Sequence, residues 1–190
     1  MASLPGTPLT EEQYLRIERQ AETKSEFLDG QMFAMAGGSP NHALLIGRIG
    51  TILDRQLSPG CRMFSADMRI KVASAGLYTY ADCSVQCGEP KFSGDAQDAL
   101  LNPLLIVEVL SPSTEGYDRG KKFEFYRTIE SFREYLLVHQ DRRHVEHYSR
   151  QEDGSWLLRE YFGAEDSVVV ARLGVNVLRA DLYAPTLNIS

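Results

Sequence analysis

The chain predicts a mixed α/β (α+β) domain, with a central mixed sheet flanked by a few helices and an antiparallel C-terminal extension. Three observations lead there. Residues 104–110 read LLIVEVL, a near-continuous apolar run of the kind found in strands covered on both faces. From Asn41 onward, Leu44, Leu45, Ile49, Ile52, Leu53 and Leu57 recur at helical spacing. After residue 143 the segments HVEHYSR, SWLLREYF and SVVVARL, with Gly154 and Gly163 near their turns, read as an antiparallel meander. Neither a repeat nor a linker breaks the 190 residues, so one domain over 1–190 is expected.

The elements follow in order. Thr10 and Gln13 have capping-box spacing ahead of EEQYLRIERQAE, a first amphipathic helix. Asp29-Gly30 is a hairpin turn signal, pairing Glu26–Leu28 with residues 31–36. Ser39-Pro40 fits an N-cap and first helical position, and Pro59-Gly60 ends the second helix. Gly47 and Gly50 would let that helix approach a neighbour closely. Strands are expected at residues 62–64, 68–72, 82–87 and 104–110, with a loop over 88–102. A helix is expected over 118–129, a strand over 135–138, and a closing helical turn within NVLRADLY. Ser84 and Gln86 in the 82–87 strand suggest that it is half-exposed.

Composition narrows the function classes. Hydrophobic residues are 43% and charged residues 24%, ordinary for a soluble globular protein. With no apolar leader and no run long enough to span a bilayer, a cytoplasmic protein without membrane contact is expected. Three cysteines argue against a disulfide framework. Cys83 and Cys87 on one strand face would stand roughly 13 Å apart, too far for one zinc ion. The net charge of −6 counts against a dedicated nucleic-acid binder, which is usually basic.

Glu108 is the anomaly inside the greasiest strand. Burying a bare carboxylate costs several kcal/mol or more. Either it shares a hard divalent cation with Asp82 on a neighbouring strand, or it pairs with Arg69, Lys71 or a backbone donor. The helix after that strand weighs on the choice. Helical spacing puts Asp118, Lys122, Tyr126 and Ile129 along one side, and the two apolar members turn that side to the sheet. Lys122 then points toward Glu108, while Lys121 is solvated. Acids and a lysine around one metal can hydrolyse a phosphodiester. The metal lowers the pKa of a bound water, and the lysine orients or deprotonates it and offsets developing charge.

With these residues in place, the chain resembles the restriction endonuclease family often called Uma-two, within the PD-(D/E)XK nuclease superfamily. The resemblance covers nearly the whole chain. It is carried by KSEFLDGQMFAMAGGSPNH, FSADMRIKV, YTYADCSV, NPLLIVEVLSPST, YDRGKKFEFYR and REYLLV. It implies a restriction-endonuclease-like core, a metal-dependent endonuclease, Mg²⁺ or Mn²⁺ as cofactor, and nucleic acid, DNA first, as substrate. Asp82 matches the PD-motif aspartate and Glu108 the (D/E)XK acid. Glu26 resembles the N-terminal acid and is expected to share the metal. Ala81 stands where the motif has proline, and Leu110 where it has lysine. The lysine is displaced to Lys122, the residue that helical spacing also selects.

Lesser candidates complete the set. His42 matches a family position and is expected to contact phosphate or orient a ligand, or else to cap or pack. Arg69 and Lys71 share a strand face and either line a groove or pair with acids. His144 and His147, three apart on a strand, face opposite ways and make poor joint ligands. Ser111 and Ser113 beside Pro112 are turn residues. A duplex cutter would use two copies, hence a possible homodimer. The rival reading is a catalytically inactive binding or assembly protein on the same fold; a hydrolase of another phosphate ester would use the same site.

Overall fold

The structure is a computed structural model and describes residues 8–35, 37–94, 96–163, 165–184 and 186–187. The chain opens with α1 (Glu11–Glu18), whose Thr10–Gln13 capping box is formed on both sides. The hairpin β1 (Ser25–Leu28) and β2 (Gln31–Ala34) turns at Asp29-Gly30, both with positive φ. The expected extension of β2 to residue 36 ends outside the described residues. Helix α2 (Pro40–Gln56) starts at a Ser39 N-cap that accepts from the His42 amide. Its Leu45, Ile49 and Leu53, spaced by four, are fully buried.

Next come β3 (Cys61–Ser65), β4 (Arg69–Val72), β5 (Leu77–Tyr80) and β6 (Cys83–Cys87), then β7 (Phe92–Ser93) and β8 (Ala99–Leu100). After them come β9 (Leu105–Leu110), α3 (Glu115–Tyr117), a π-helical turn over Asp118–Lys122 and α4 (Phe123–Tyr126). The chain continues through β10 (Glu134–His139), β11 (Val145–Arg150), β12 (Trp156–Tyr161), β13 (Ser167–Val170), β14 (Val175–Leu178) and α5 (Arg179–Tyr183). Among the described residues, no helix is long and apolar enough to cross a membrane.

The mixed α/β class holds, but the strands divide between two six-stranded sheets. The first has the order β2-β1-β5-β4-β8-β7 and the second β12-β11-β10-β9-β6-β3, while β13 and β14 form a separate ribbon. The expected three-strand meander is therefore corrected: β11 pairs with β12, and β13 turns instead to β14. In the second sheet β9 and β10 run parallel and β6 pairs with β9 antiparallel. β5 was not expected; its Leu-Tyr-Thr-Tyr sequence is buried on both faces and lacks the alternation that marks a strand. The segment 88–102, expected as a loop, contains the short pair β7 and β8. The predicted helix over 118–129 is broken into a π turn and one α turn ending at Tyr126.

Period-two alternation sorts β9 between two cores. Leu105, Val107 and Val109 pack under α2 with the β13–β14 ribbon. Ile106 and Leu110 point the other way, into a cluster with β4, β5, α4 and β10. Glu108 shares that second face. A third cluster joins α1 to β1 and β5 through Tyr14, Phe27 and Tyr78.

Three local expectations are revised. Ser84 and Gln86 are buried, because β6 is an interior strand between β3 and β9. Cys61 and Cys87 form a disulfide (Cα–Cα 4.0 Å), because the β3–β6 register sets them opposite one another. Spacing in the sequence alone could not reveal that pairing. Cys83 stays free, with its thiol pushed up to about 12 by burial. A Cβ on Gly50 would meet Met63 Cε at 3.3 Å, whereas one on Gly47 would meet nothing within 4 Å, so only Gly50 serves close packing.

Candidate active site

The two sheets meet where the chain leaves β5 and enters β6, and Asp82 sits on that link. Its Oδ2 accepts the Val109 amide at 2.6 Å, which fixes Asp82 to the backbone of β9 one residue beyond Glu108. The register of β6 on β9 thus sets the spacing of the two acids.

The π turn supplies the cation. Such turns add a residue to the helical repeat and occur often at functional sites. Here it turns both Asp118 and Lys122 into the molecule, each 4% exposed. Lys122 Nζ lies 2.9 Å from Glu108 Oε1, 3.5 Å from Asp118 Oδ1 and 3.6 Å from Glu26 Oε1, and donates to the Tyr80 carbonyl at 3.1 Å. Lys121 forms a solvated pair with Glu124, as helical spacing predicts.

Hydroxyl groups hold the acids in place. Tyr126 donates to Glu108 Oε1 at 3.0 Å. Thr79 donates to Glu26 Oε1, and Tyr117 to Glu26 Oε2 at 3.1 Å. His42 Nε2 stands 3.5 Å from Asp82 Oδ2. A Cβ at Gly38 would lie 2.5 Å from His42 Nδ1, so the ring occupies space that only glycine leaves open.

Three carboxylates, Glu26, Glu108 and Asp118, thus share one lysine, and a fourth, Asp82, stands beside His42. Burial raises the Glu108 carboxyl well above the carboxylate range despite Lys122, and burial likewise raises Asp118. Burial opposes charge on Lys122, but Glu108, Tyr126 and the other acids outweigh it and keep the ammonium protonated far above its usual range. His42 is raised too: burial opposes its charge, but Asp82 outweighs that effect.

Glu26, His42, Asp82, Glu108 and Lys122 all line one cleft of about 530 Å³. Arg69 is the exception. Its guanidinium is taken up by Asp98 (Nε to the carbonyl at 3.0 Å, Nη2 to Oδ1 at 3.3 Å), away from the cleft, so the groove-lining expectation is corrected to ion pairing. Lys71 pairs with Glu11. Neither basic strand residue reaches Glu108. Sequence reasoning left Asp118 without a role, although it placed that residue on the inner helix face. It missed Thr79, Tyr117 and Tyr126 as partners of the acids, because each comes from a different element.

The donor set suits a hard cation. Mg²⁺ takes one or two carboxylates and fills its other positions with water and phosphate oxygens. Asp82 and Glu108 each keep an oxygen outside the contacts above. A compact trio, His139, His144 and Glu146, has ligand atoms within 4.8 Å of one another. It fits a metal poorly. Arg119 donates to both Glu146 and His139, and the two imidazoles stack at 4.4 Å and 15°, so their in-plane lone pairs cannot converge.

Comparisons with known proteins give the family and the fold. The family described as "Uma2: Putative restriction endonuclease" matches residues 11–179. Two relatives come from Synechocystis sp. (strain ATCC 27184 / PCC 6803 / Kazusa). The uncharacterized protein sll1609 is 44% identical over 160 residues, 82% of this chain and 88% of its own length. The uncharacterized protein slr1290 is 37% identical over 175 residues, 92% of this chain and 90% of its own length. A crystal structure from Anabaena variabilis ATCC 29413, described as a "putative nuclease belonging to DUF820", superposes with a TM-score of 0.73 at 17% identity. It covers 93% of this chain and 98% of that one.

Proposed function

This chain belongs to the Uma2 family, and from that premise we propose that it is a metal-dependent endonuclease of PD-(D/E)XK type, cutting phosphodiester bonds in nucleic acid, DNA in the first instance. The observation that carries the reading is the charge imbalance of the cleft, where four buried or half-buried carboxylates face one lysine and one histidine. A divalent ion would offset that excess.

Asp82 and Glu108 would hold Mg²⁺ or Mn²⁺. When bound, the ion supplies a bound water of lowered pKa and polarises the phosphate. The remaining roles belong to the chain. Lys122 orients or deprotonates the attacking water and offsets charge growing on the phosphate. Glu26 has a hydroxyl donor on each oxygen, so we assign it to positioning Lys122; to ligate the metal it would first have to exchange one of them. His42, at the cleft wall beside Asp82, contacts a phosphate oxygen. Cutting both strands of a duplex would call for a homodimer.

The net charge of −6 favours the rival reading, an inactive binding protein on this fold. Thermal unfolding of wild type and Glu108→Gln, each with and without Mn²⁺, separates the two, followed by a panel of DNA and RNA substrates. The nuclease reading expects Mn²⁺ to stabilise wild type only, by about 2.7 kcal/mol at one hundred times Kd. It also expects the metal-free variant to be no less stable than wild type. Unchanged stability with Mn²⁺ together with easy unfolding of Glu108→Gln would make Glu108 a structural acid and sink the proposal.

A further inference from the structure

The hairpin β1–β2 brings an aromatic residue to the cleft that no core claims. Phe33 stands directly opposite Glu26 in the β1–β2 register, so the two side chains share one face. Its chain neighbour Met32 faces the other way and is buried with Tyr14 and Phe27. Phe33 instead lines the cleft, half-buried. Among the described residues it joins none of the three apolar clusters. A phenyl ring left half in water one side chain away from the acid cluster lacks a partner.

The rest of the cleft describes that partner. Its basic side chains are Lys122, already engaged with three acids, and His42. Among the described residues no arginine lines it. Duplex DNA carries dense negative charge, and proteins that hold it do so with several Lys and Arg contacts to phosphates. The volume of about 530 Å³ lies in the range of small-molecule sites, roughly 300–1,000 Å³. That is room for a nucleotide or two. Single-stranded nucleic acid is held by stacking its bases on aromatic side chains.

We propose that Phe33 is a stacking platform for an unpaired nucleobase beside the scissile phosphate, and that the cleft therefore takes single-stranded or locally unpaired nucleic acid rather than duplex. This rests on the nuclease reading above. A site that reads one strand needs no second copy, so it also removes the reason for a homodimer.

The test uses the full chain with Phe33→Ala and Phe33→Trp. Single-stranded and duplex oligonucleotides carry 2-aminopurine, with DNA and RNA run separately. Binding is followed by anisotropy and by 2-aminopurine quenching, and cleavage by kinetics in Mn²⁺. Wild type should bind single strands more tightly than duplex and quench the probe. Phe33→Ala should weaken single-strand binding about ten- to hundred-fold and abolish quenching. The loss should fall on KM rather than kcat, and Phe33→Trp should restore binding. Thermal unfolding checks that both variants fold. Preference for duplex, or unchanged single-strand binding in Phe33→Ala, overturns the stacking role and leaves the nuclease reading standing if either substrate is cut. Binding and quenching through Phe33 with no cleavage in any metal keeps the platform and overturns the nuclease reading. Failure to bind any oligonucleotide overturns the platform.

Discussion

Glu108, Leu137 and Glu146 form one cross-strand row over β9, β10 and β11, so Glu108 and Glu146 emerge on the same face of the second sheet. Each anchors a buried polar cluster, and one π turn feeds both, sending Asp118 and Lys122 to Glu108 and Arg119 to Glu146. The clusters nevertheless differ in how their acids are satisfied. Around Glu146 each carboxylate oxygen accepts a donor, from Arg119 on both and from Tyr148 on Oε2. Arg119 also bonds Glu115 and His139, and Tyr148 donates to Glu146 at 3.2 Å. These bonds outweigh burial and hold Glu146 low, at about 2. Around Glu108 the acids outnumber the cation, and burial holds both Glu108 and Asp118 high. A satisfied cluster is what a structural network looks like. An oversupplied one is unfavourable on its own and makes sense with a ligand.

The contrast can be broken first at its two cations. Lys122→Met removes the lysine facing Glu108 and Asp118 and should cost about 3–5 kcal/mol, as for one partner of a buried pair. The loss should be larger at pH 8 than at pH 5, because protonation of the freed acids relieves it. It should also abolish turnover on any substrate that wild type cuts. Denaturant unfolding at the two pH values reads the first effect. If Lys122→Met and Arg119→Met cost the same at both, the two clusters do not differ in how their acids are satisfied.

A second, smaller effect sharpens the comparison. Carboxyls raised in the folded state contribute stability that is full below their unfolded value, 4.5 for Glu108, and is lost as pH rises through the folded value. Metal-free protein should therefore weaken with rising pH on account of this site. On the nuclease reading Mn²⁺ would displace protons from Glu108, so its gain in Tm should be larger at pH 8 than at pH 5.5. A gain that shrinks with pH would point away from these acids.

The smallest effect belongs to the satisfied cluster. Glu146, depressed from 4.5 to about 2, contributes stability that is present above pH 4.5 and lost as pH falls toward 2. Arg119 is part-exposed, which discounts the pair. Arg119→Met should flatten the acid limb of the stability curve by on the order of 1 kcal/mol and leave the Mn²⁺ response unchanged. A changed Mn²⁺ response would tie the two clusters together.

How far the sequence could reach follows the same division. Glu108 and Lys122 were legible because each broke a local rule, a charge in an apolar strand and a lysine on an apolar helix face. The Arg119–Glu146–His139 network was not, since its members are ordinary on their own elements and meet only through the β9–β10–β11 register. The same holds for the Cys61–Cys87 pairing and for Thr79, on a strand that the sequence pattern did not reveal. The π turn was hidden as well, because its residues keep an approximately helical spacing.

That turn makes the site sensitive to the length of the chain in an unusual place. A π turn holds one residue more than an α turn. Deleting Gly120 would let it close as a regular α turn with the flanking residues near their present phase, whereas a further insertion would turn every later residue by about 100°. With that insertion Lys122 would swing off Glu108 while Phe123 and Tyr126 lost their seats in the second core. A one-codon insertion there would silence the cleft without changing any of its acids, whereas the same insertion in the exposed turn at 152–154 would alter only surface.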